Sequence, residues 1–202
     1  MGRNGGAKIR GEVRREQVVT ATLRIIGKKG VSGLTTAAIA REVGMSEANI
    51  YRHFKNKEEI LYETGKSIGR SLSSNLDAVW KMEIQPIAKL KKIFQLHLEF
   101  LKANDGIPRL AFSEEMHVNN ARLRKLFLQN IQAYSTGLEE IIGHGVRSGI
   151  IRKNVDPQGA ALMMIGMIQV TLMRWSLSGR AFDLVTEGMK LWTNCERYLS
   201  EG

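Results

Sequence analysis

Apolar residues recur three and four positions apart along almost the whole chain, which is the rhythm of an α-helix seen from its buried side. Val18, Thr22, Ile25 and Ile26 form one such stripe. Leu61, Ile68, Leu72, Leu76 and Val79 form a second, and Leu123, Phe127, Ile131, Tyr134, Leu138 and Ile141 a third. β-branched runs are scarce. Proline, which interrupts helices most reliably, occurs only at 86, 108 and 157 of 202 positions. The pattern therefore predicts an all-α chain of about nine helices. With 43% hydrophobic and 25% charged residues it can bury an ordinary globular core. A small N-terminal domain over residues 12–66 and a larger helical domain over 67–202 are expected.

Local signals place the helix ends. Residues 1–11 are glycine-rich and basic and read as an arm, with a first helix from about Val13 to Lys29 closed by Gly30. Thr35 or Thr36 caps a second helix that ends at Gly44, and Ser46 caps a third from Glu47 to about Phe54. Asn56 with Glu59 forms a variant capping box that opens a long fourth helix. Pro86 precedes a fifth, and Pro108 a short sixth around Leu110 to His117. Asp156-Pro157 is a strong start signal for the eighth, and the ninth runs from about Asp183 to Leu199.

The formal charge is +10, and it is unevenly spread. Arg3, Lys8, Arg10, Arg14, Arg15, Arg24, Lys28 and Lys29 face only Glu12 and Glu16 in the first thirty residues. Such a basic end suits a polyanionic partner, the plainer alternative being a solvated basic tail. The single cysteine, Cys195, excludes an intrachain disulfide and a thiolate metal cluster, which fits a reducing cytoplasm. No secretory signal is apparent. The longest apolar run, 160–173, is interrupted by Gly166, Gln169 and Thr171, so no membrane partner is expected. Phosphate loops, nucleophile elbows and paired-histidine zinc motifs are lacking, so neither enzyme activity nor a cofactor is expected. Glu114 and His117 stand three apart without a second ligand pair, so no metal is expected either.

Residues 34–61 read LTTAAIAREVGMSEANIYRHFKNKEEIL. Two short helices joined by a glycine-containing turn match a helix-turn-helix. Ala40 is small where the helices must cross, and Ile39, Val43, Ile50 and Phe54 lock that crossing. Glu47, Ala48, Asn49, Arg52 and His53 are left as the outward residues of the second helix, the one that enters the major groove in such units. Asn49 suits a bidentate contact to adenine and Ala48 a thymine methyl. Thr35, Thr36, Ser46, Tyr51 and Lys57 are placed for phosphates or for the helix N-termini that face them. The alternative is an ordinary helical hairpin inside a bundle.

From about Arg14 to Lys66 the chain resembles the DNA-binding domain of the TetR (AcrR-like) transcriptional regulators. The resemblance is carried by Gly30, Leu34-Thr35-Thr36, Ile39-Ala40, Val43-Gly44, Ser46, Ile50-Tyr51-Arg52-His53-Phe54, Lys55-Asn56-Lys57-Glu58-Glu59 and Leu61. It implies a homodimer that represses transcription from a palindromic, double-stranded DNA operator. It also implies a small-molecule effector that enters the C-terminal domain and parts the two reading heads, and a fourth helix that links the two halves as a lever. A DNA-binding regulator or architectural protein without an effector is the other reading.

In the body, residues 160–175 are apolar on every side of the eighth helix, and such a helix must be covered all round. One side is expected in its own core and the other on a partner. Met164, Ile168, Leu172 and Trp192 are the candidates for that interface, a helix buried inside one subunit being the alternative. Phe94, His97, Phe112, Met116, Met163, Met167 and Trp175 are candidates for an adaptable apolar effector pocket. His97 shares a face with Ile93 and Phe100, which equally suits a hydrogen-bonded core histidine.

Overall fold

The computed structural model describes the backbone of residues 3–200 and the side chains of residues 11–200. Among these residues it holds nine α-helices and one π-helical turn, and no strand. The helices are α1 (Arg3–Lys29), α2 (Thr36–Val43), α3 (Glu47–Tyr51), α4 (Lys57–Trp80), α5 (Pro86–Ala103), α6 (Gly106–Ala111), α7 (Ala121–Arg147), α8 (Pro157–Leu177) and α9 (Leu184–Ser200). The π-helical turn is Glu115–Asn119.

Most helix ends obey the local signals. Asp156 caps α8 by accepting from the Gly159 N–H at 2.8 Å, with Pro157 in the first turn. Asp183 caps α9 by accepting from Thr186 N–H at 2.8 Å. Three boundaries differ from expectation. The backbone of residues 3–10, expected as an arm, continues α1. Glycine weakens a helix by about 1 kcal/mol relative to alanine but, unlike proline, does not stop it. The side chains of Arg3, Lys8 and Arg10 lie outside the described residues.

The sixth helix is displaced in the same way. Pro108 lies inside α6 instead of ahead of it. The first turn of a helix has no intrahelical acceptors for its N–H groups, so the missing donor costs nothing there. The following residues, expected to complete that helix, form the π-helical turn instead. At α3 the regular helix stops at Tyr51, although Phe54 N–H still reaches back to the Ile50 carbonyl at 3.0 Å.

The chain forms two compact units, residues 1–68 with 104–127, and residues 69–103 with 128–202. The first boundary falls beside the expected 66/67 division, but the segment 104–127 belongs with the N-terminal helices. Gly106 explains why. A Cβ there would sit 2.1 Å from the Leu23 carbonyl oxygen, so only glycine lets α6 lie against α1. The core of this unit is Val18, Thr22, Ile26, Leu34, Ile39, Ile50, Phe54 and Leu61. Thr22 is buried without cost, because its hydroxyl donates to the Val18 carbonyl at 2.8 Å.

In the second unit α5 packs on α8 and α9. Gly188 presses α9 against Leu98 of α5, where a Cβ would meet the leucine side chain at 2.4 Å. Phe94 and Trp192 meet at 5.7 Å between ring centroids. The Trp192 indole N–H donates to Glu196 at 2.9 Å. Among the described helices α8 alone is long and apolar enough to cross a membrane, and about 44% of its apolar window is buried inside the protein.

Candidate nucleic-acid interface

Backbone capping shapes the paired short helices first. Thr35 is extended, and its hydroxyl accepts from Ala38 N–H at 3.1 Å, so Thr35 is the cap of α2. Thr36 stands in the first turn, where its hydroxyl lies 3.3 Å from the Tyr51 hydroxyl of α3. Gly44 closes α2 at φ 67°, the left-handed region that suits glycine. Its neighbour Met45 donates its N–H to the Ala40 carbonyl at 2.9 Å. The chain then reverses into α3, where the Ser46 hydroxyl accepts from Asn49 N–H at 3.2 Å.

This turn divides the side chains by face. Ile39, Ala40, Ile50 and Phe54 are buried, and Val43 is half-buried. Ser46, Glu47, Ala48, Tyr51 and Arg52 are exposed, Tyr51 by 54% of its surface. Asn49 and His53 are half-buried at the edges of the same surface. The structure thus brings the outward residues of α3 together on one side, with Thr36 joined to it through Tyr51. Lys57 opens α4 just beyond.

The start of α4 is held by a reciprocal cap. The Asn56 side chain accepts from Glu59 N–H at 2.9 Å, and the Glu59 carboxylate accepts from Lys55 N–H at 2.7 Å. The Lys55 bond holds the Glu59 carboxyl below its ordinary range. The Arg15 guanidinium adds to this, and partial burial opposes it.

Arg15 was not singled out by the sequence. Its guanidinium donates to the His53 carbonyl, lies 3.5 Å from Glu59 and 3.7 Å from Glu63, and sits 4.4 Å from the Phe54 ring centroid. No local pattern marks such a residue, since its partners are 38 and 44 positions away. Elsewhere on α1, Arg24 pairs loosely with Glu42 at 4.0 Å, and Lys28 and Lys29 are exposed.

The candidate effector-pocket residues are distributed over both compact units. Phe112 and Met116 belong to the first unit, and Phe94, His97, Met163, Met167 and Trp175 to the second. Phe112 is exposed and Met163 faces outward, whereas Phe94 and Trp175 are packed in the core. His97 is a core histidine. Its Nδ1 lies 3.1 Å from the Tyr134 hydroxyl, with the rings edge to face. Burial lowers its pKa to about 4 and raises that of Tyr134. Near neutrality both partners of this hydrogen bond are therefore uncharged. A cavity of about 180 Å³ in the second unit is lined instead by Trp80, Ile84, Pro86, Lys89, Ile141 and His144. The His117 ring lies 3.0 Å from the Ala111 carbonyl oxygen.

The four residues expected at a dimer interface can be placed within the single chain. Met164, Ile168, Leu172 and Trp192 are buried in the core of their own unit, Met164 with 1% of its surface exposed. The opposite face of α8 carries Leu162, Met163, Val170, Met173 and Leu177, all exposed, with Val170 at 48%. A helix apolar all round offers no periodicity to say which side turns inward.

Comparison with known proteins agrees with this geometry. Residues 18–64 match the family described as bacterial regulatory proteins, tetR family, and residues 67–193 match the YsiA-like protein, C-terminal region. The chain is 27% identical over 169 residues to the fatty acid metabolism regulator protein of Bacillus subtilis, covering 84% of this chain and 87% of that one. It is 29% identical over 167 residues to the nucleoid occlusion factor SlmA of Vibrio cholerae, covering 80% and 83%. The structure of the transcriptional regulator FadR from Bacillus subtilis in complex with stearoyl-CoA has the same fold. It superposes with a TM-score of 0.78 at 23% identity, over 91% of this chain and 98% of that one. The chain belongs to the tetR family of bacterial regulatory proteins.

Proposed function

We propose that this protein is a homodimeric repressor that binds a palindromic operator in the cytoplasm and leaves it when a hydrophobic small molecule binds. The single observation that carries the DNA-binding half is the one-sided surface of Ser46, Glu47, Ala48, Asn49, Tyr51 and Arg52 on a capped, apolar-backed helix pair. In this reading α3 lies in the major groove. Asn49 and Ala48 meet base edges, while Thr36, Tyr51, Lys57 and the capped N-terminus of α2 meet phosphates. Arg52 and His53 border the same groove.

Pairing of two subunits is supported by the exposed apolar face of α8. A soluble chain rarely leaves such a stripe bare, and a twofold partner laid along it covers both copies. Two reading heads placed about 34–36 Å apart then meet successive turns of one duplex face.

The effector half is supported by kinship with a fatty acid metabolism regulator and by the fold shared with FadR in its stearoyl-CoA complex. A long-chain acyl thioester is the class of effector this favours. Phe94, His97 and Trp175 line its path in this reading, and their packed core parts to admit the chain. Likeness to the nucleoid occlusion factor favours a second reading, DNA binding with no effector.

One titration separates the two. A labelled duplex enriched by the protein from a randomised library is bound, then challenged with stearoyl-CoA in micromolar excess. Release supports the first reading. Unchanged binding, with shorter acyl thioesters equally inert, supports the second. Failure to enrich any duplex at low salt removes both.

A further inference from the structure

We propose that Arg15 is a positioning residue for sequence recognition, clamping the C-terminal end of α3 to the first turns of α4. The inference rests on the DNA-binding reading above. Helix α3 is five residues long, too short to hold its own geometry. Ser46 caps its N-terminal end and Ile50 anchors its middle in the core. Beyond its last residue, Tyr51, the His53 and Phe54 N–H groups close on the Ile50 carbonyl, and the chain then turns toward α4.

Arg15 supplies the missing restraint. One guanidinium donates to the His53 carbonyl, covers the Phe54 ring, and lies between the Glu59 and Glu63 carboxylates on successive turns of α4. The planar fork does all of this at once. An ammonium group has three donors but neither the flat face nor the fixed, wide-set fork. Glu59 also accepts from Lys55 N–H, so the turn between α3 and α4 is held at both its ends by the same ionic cluster.

The angle at which α3 offers Asn49 and Ala48 to the groove is therefore set by α4 through Arg15. Bidentate base contacts require that angle to within about 10–20°, whereas phosphate contacts, which fix register without reading sequence, are less exacting. Discrimination between sequences should then depend on Arg15 more than affinity for DNA in general.

The test compares Arg15→Met and Arg15→Lys with the wild-type dimer by fluorescence anisotropy. The duplexes are the one enriched from a randomised library and a random one, across a salt series. Expected is a fall in the ratio of the two affinities on the order of tenfold in both variants. The slope against salt on random duplex should be retained. Equal losses on both duplexes, with that slope reduced by about one per subunit and rescue by Arg15→Lys, would make Arg15 a phosphate contact and overturn the proposal. An unchanged ratio would overturn it too.

Glu63→Gln guards against a folding defect in the Arg15 variants, because it removes one carboxylate from the cluster without touching α3. It should lower the same ratio and add nothing further when combined with Arg15→Met. Additive losses would count against the clamp. If the wild-type protein enriches no duplex, the DNA-binding reading falls and the clamp with it. Enrichment by the wild type with indifferent variants sinks the clamp alone.

Discussion

Asn49 and Lys57 sit a few residues apart yet answer to different physics. Asn49 lies half-buried at the edge of the α3 surface with its backbone N–H spent on Ser46, which leaves the carboxamide free to choose among bases. Asn49→Ala should cost about 1–3 kcal/mol at one base pair of each half-site and little elsewhere, read as relaxed preference at that position in a selection experiment. Retention of the full preference would remove Asn49 from the reading surface. Lys57, in the first turn of α4, should act alike on every sequence. Lys57→Ala is expected to lower the slope of log affinity against log salt by about one per subunit.

His97 reports at the same scale on stability. Its pKa, about 4 in the folded chain, stands below the ordinary histidine value of 6.5, so the unfolded chain binds its proton first. Above pH 6.5 both states are neutral and nothing is lost. As pH falls from 6.5 toward 4 the unfolded state gains, by up to about 3 kcal/mol. Urea titrations over that window should show a steeper loss for the wild type than for His97→Phe combined with Tyr134→Phe. Parallel curves would mean that the imidazole titrates alike in the folded and the unfolded chain.

Among the elements, the junction of α1 with α6 is the most exacting. Gly106 meets the Leu23 carbonyl oxygen where a Cβ would be 2.1 Å away, and backbone cannot yield as a flexible side chain does. Gly106→Ala should therefore destabilise by about 3 kcal/mol, seen as a lower urea midpoint with an unchanged slope. A midpoint within error of the wild type would show that the helices slide apart freely. Helix α4 answers to the opposite demand. Its 24 residues make a rod of roughly 36 Å, contributing to both compact units, and its first two turns carry the carboxylates that face Arg15.

For the whole molecule, two features act together: the +10 charge and the bare apolar face of α8. The charge draws the protein to DNA of any sequence, and pairing of two heads makes the contact specific to a palindrome. Val170→Glu places a carboxylate in the middle of the proposed twofold contact while leaving the core residues Met164 and Ile168 untouched. It should yield a folded monomer by light scattering and weaken operator binding on the order of a hundredfold, since the second head no longer binds as a tethered neighbour. A dimer that survives the substitution would move the interface to another surface.

Read by itself, the chain determined most of the helix caps and turns, which depend on neighbours within a turn or two, but not where residues 3–10 or the sixth helix would go. The caps at Ser46, Asn56 and Asp156, a cap at either Thr35 or Thr36, the left-handed Gly44 and the i, i+4 pair Ile50 and Phe54 were legible because each signal lies within a few residues of its effect. Tertiary structure alone decided which side of α8 turns inward, why residues 104–127 join the N-terminal helices, and what Arg15 holds. A helix apolar all round has no periodic bias to reveal its buried face. The close approach at Gly106 and the ionic cluster at Arg15 each join residues tens of positions apart, a pairing that only folding in three dimensions brings about.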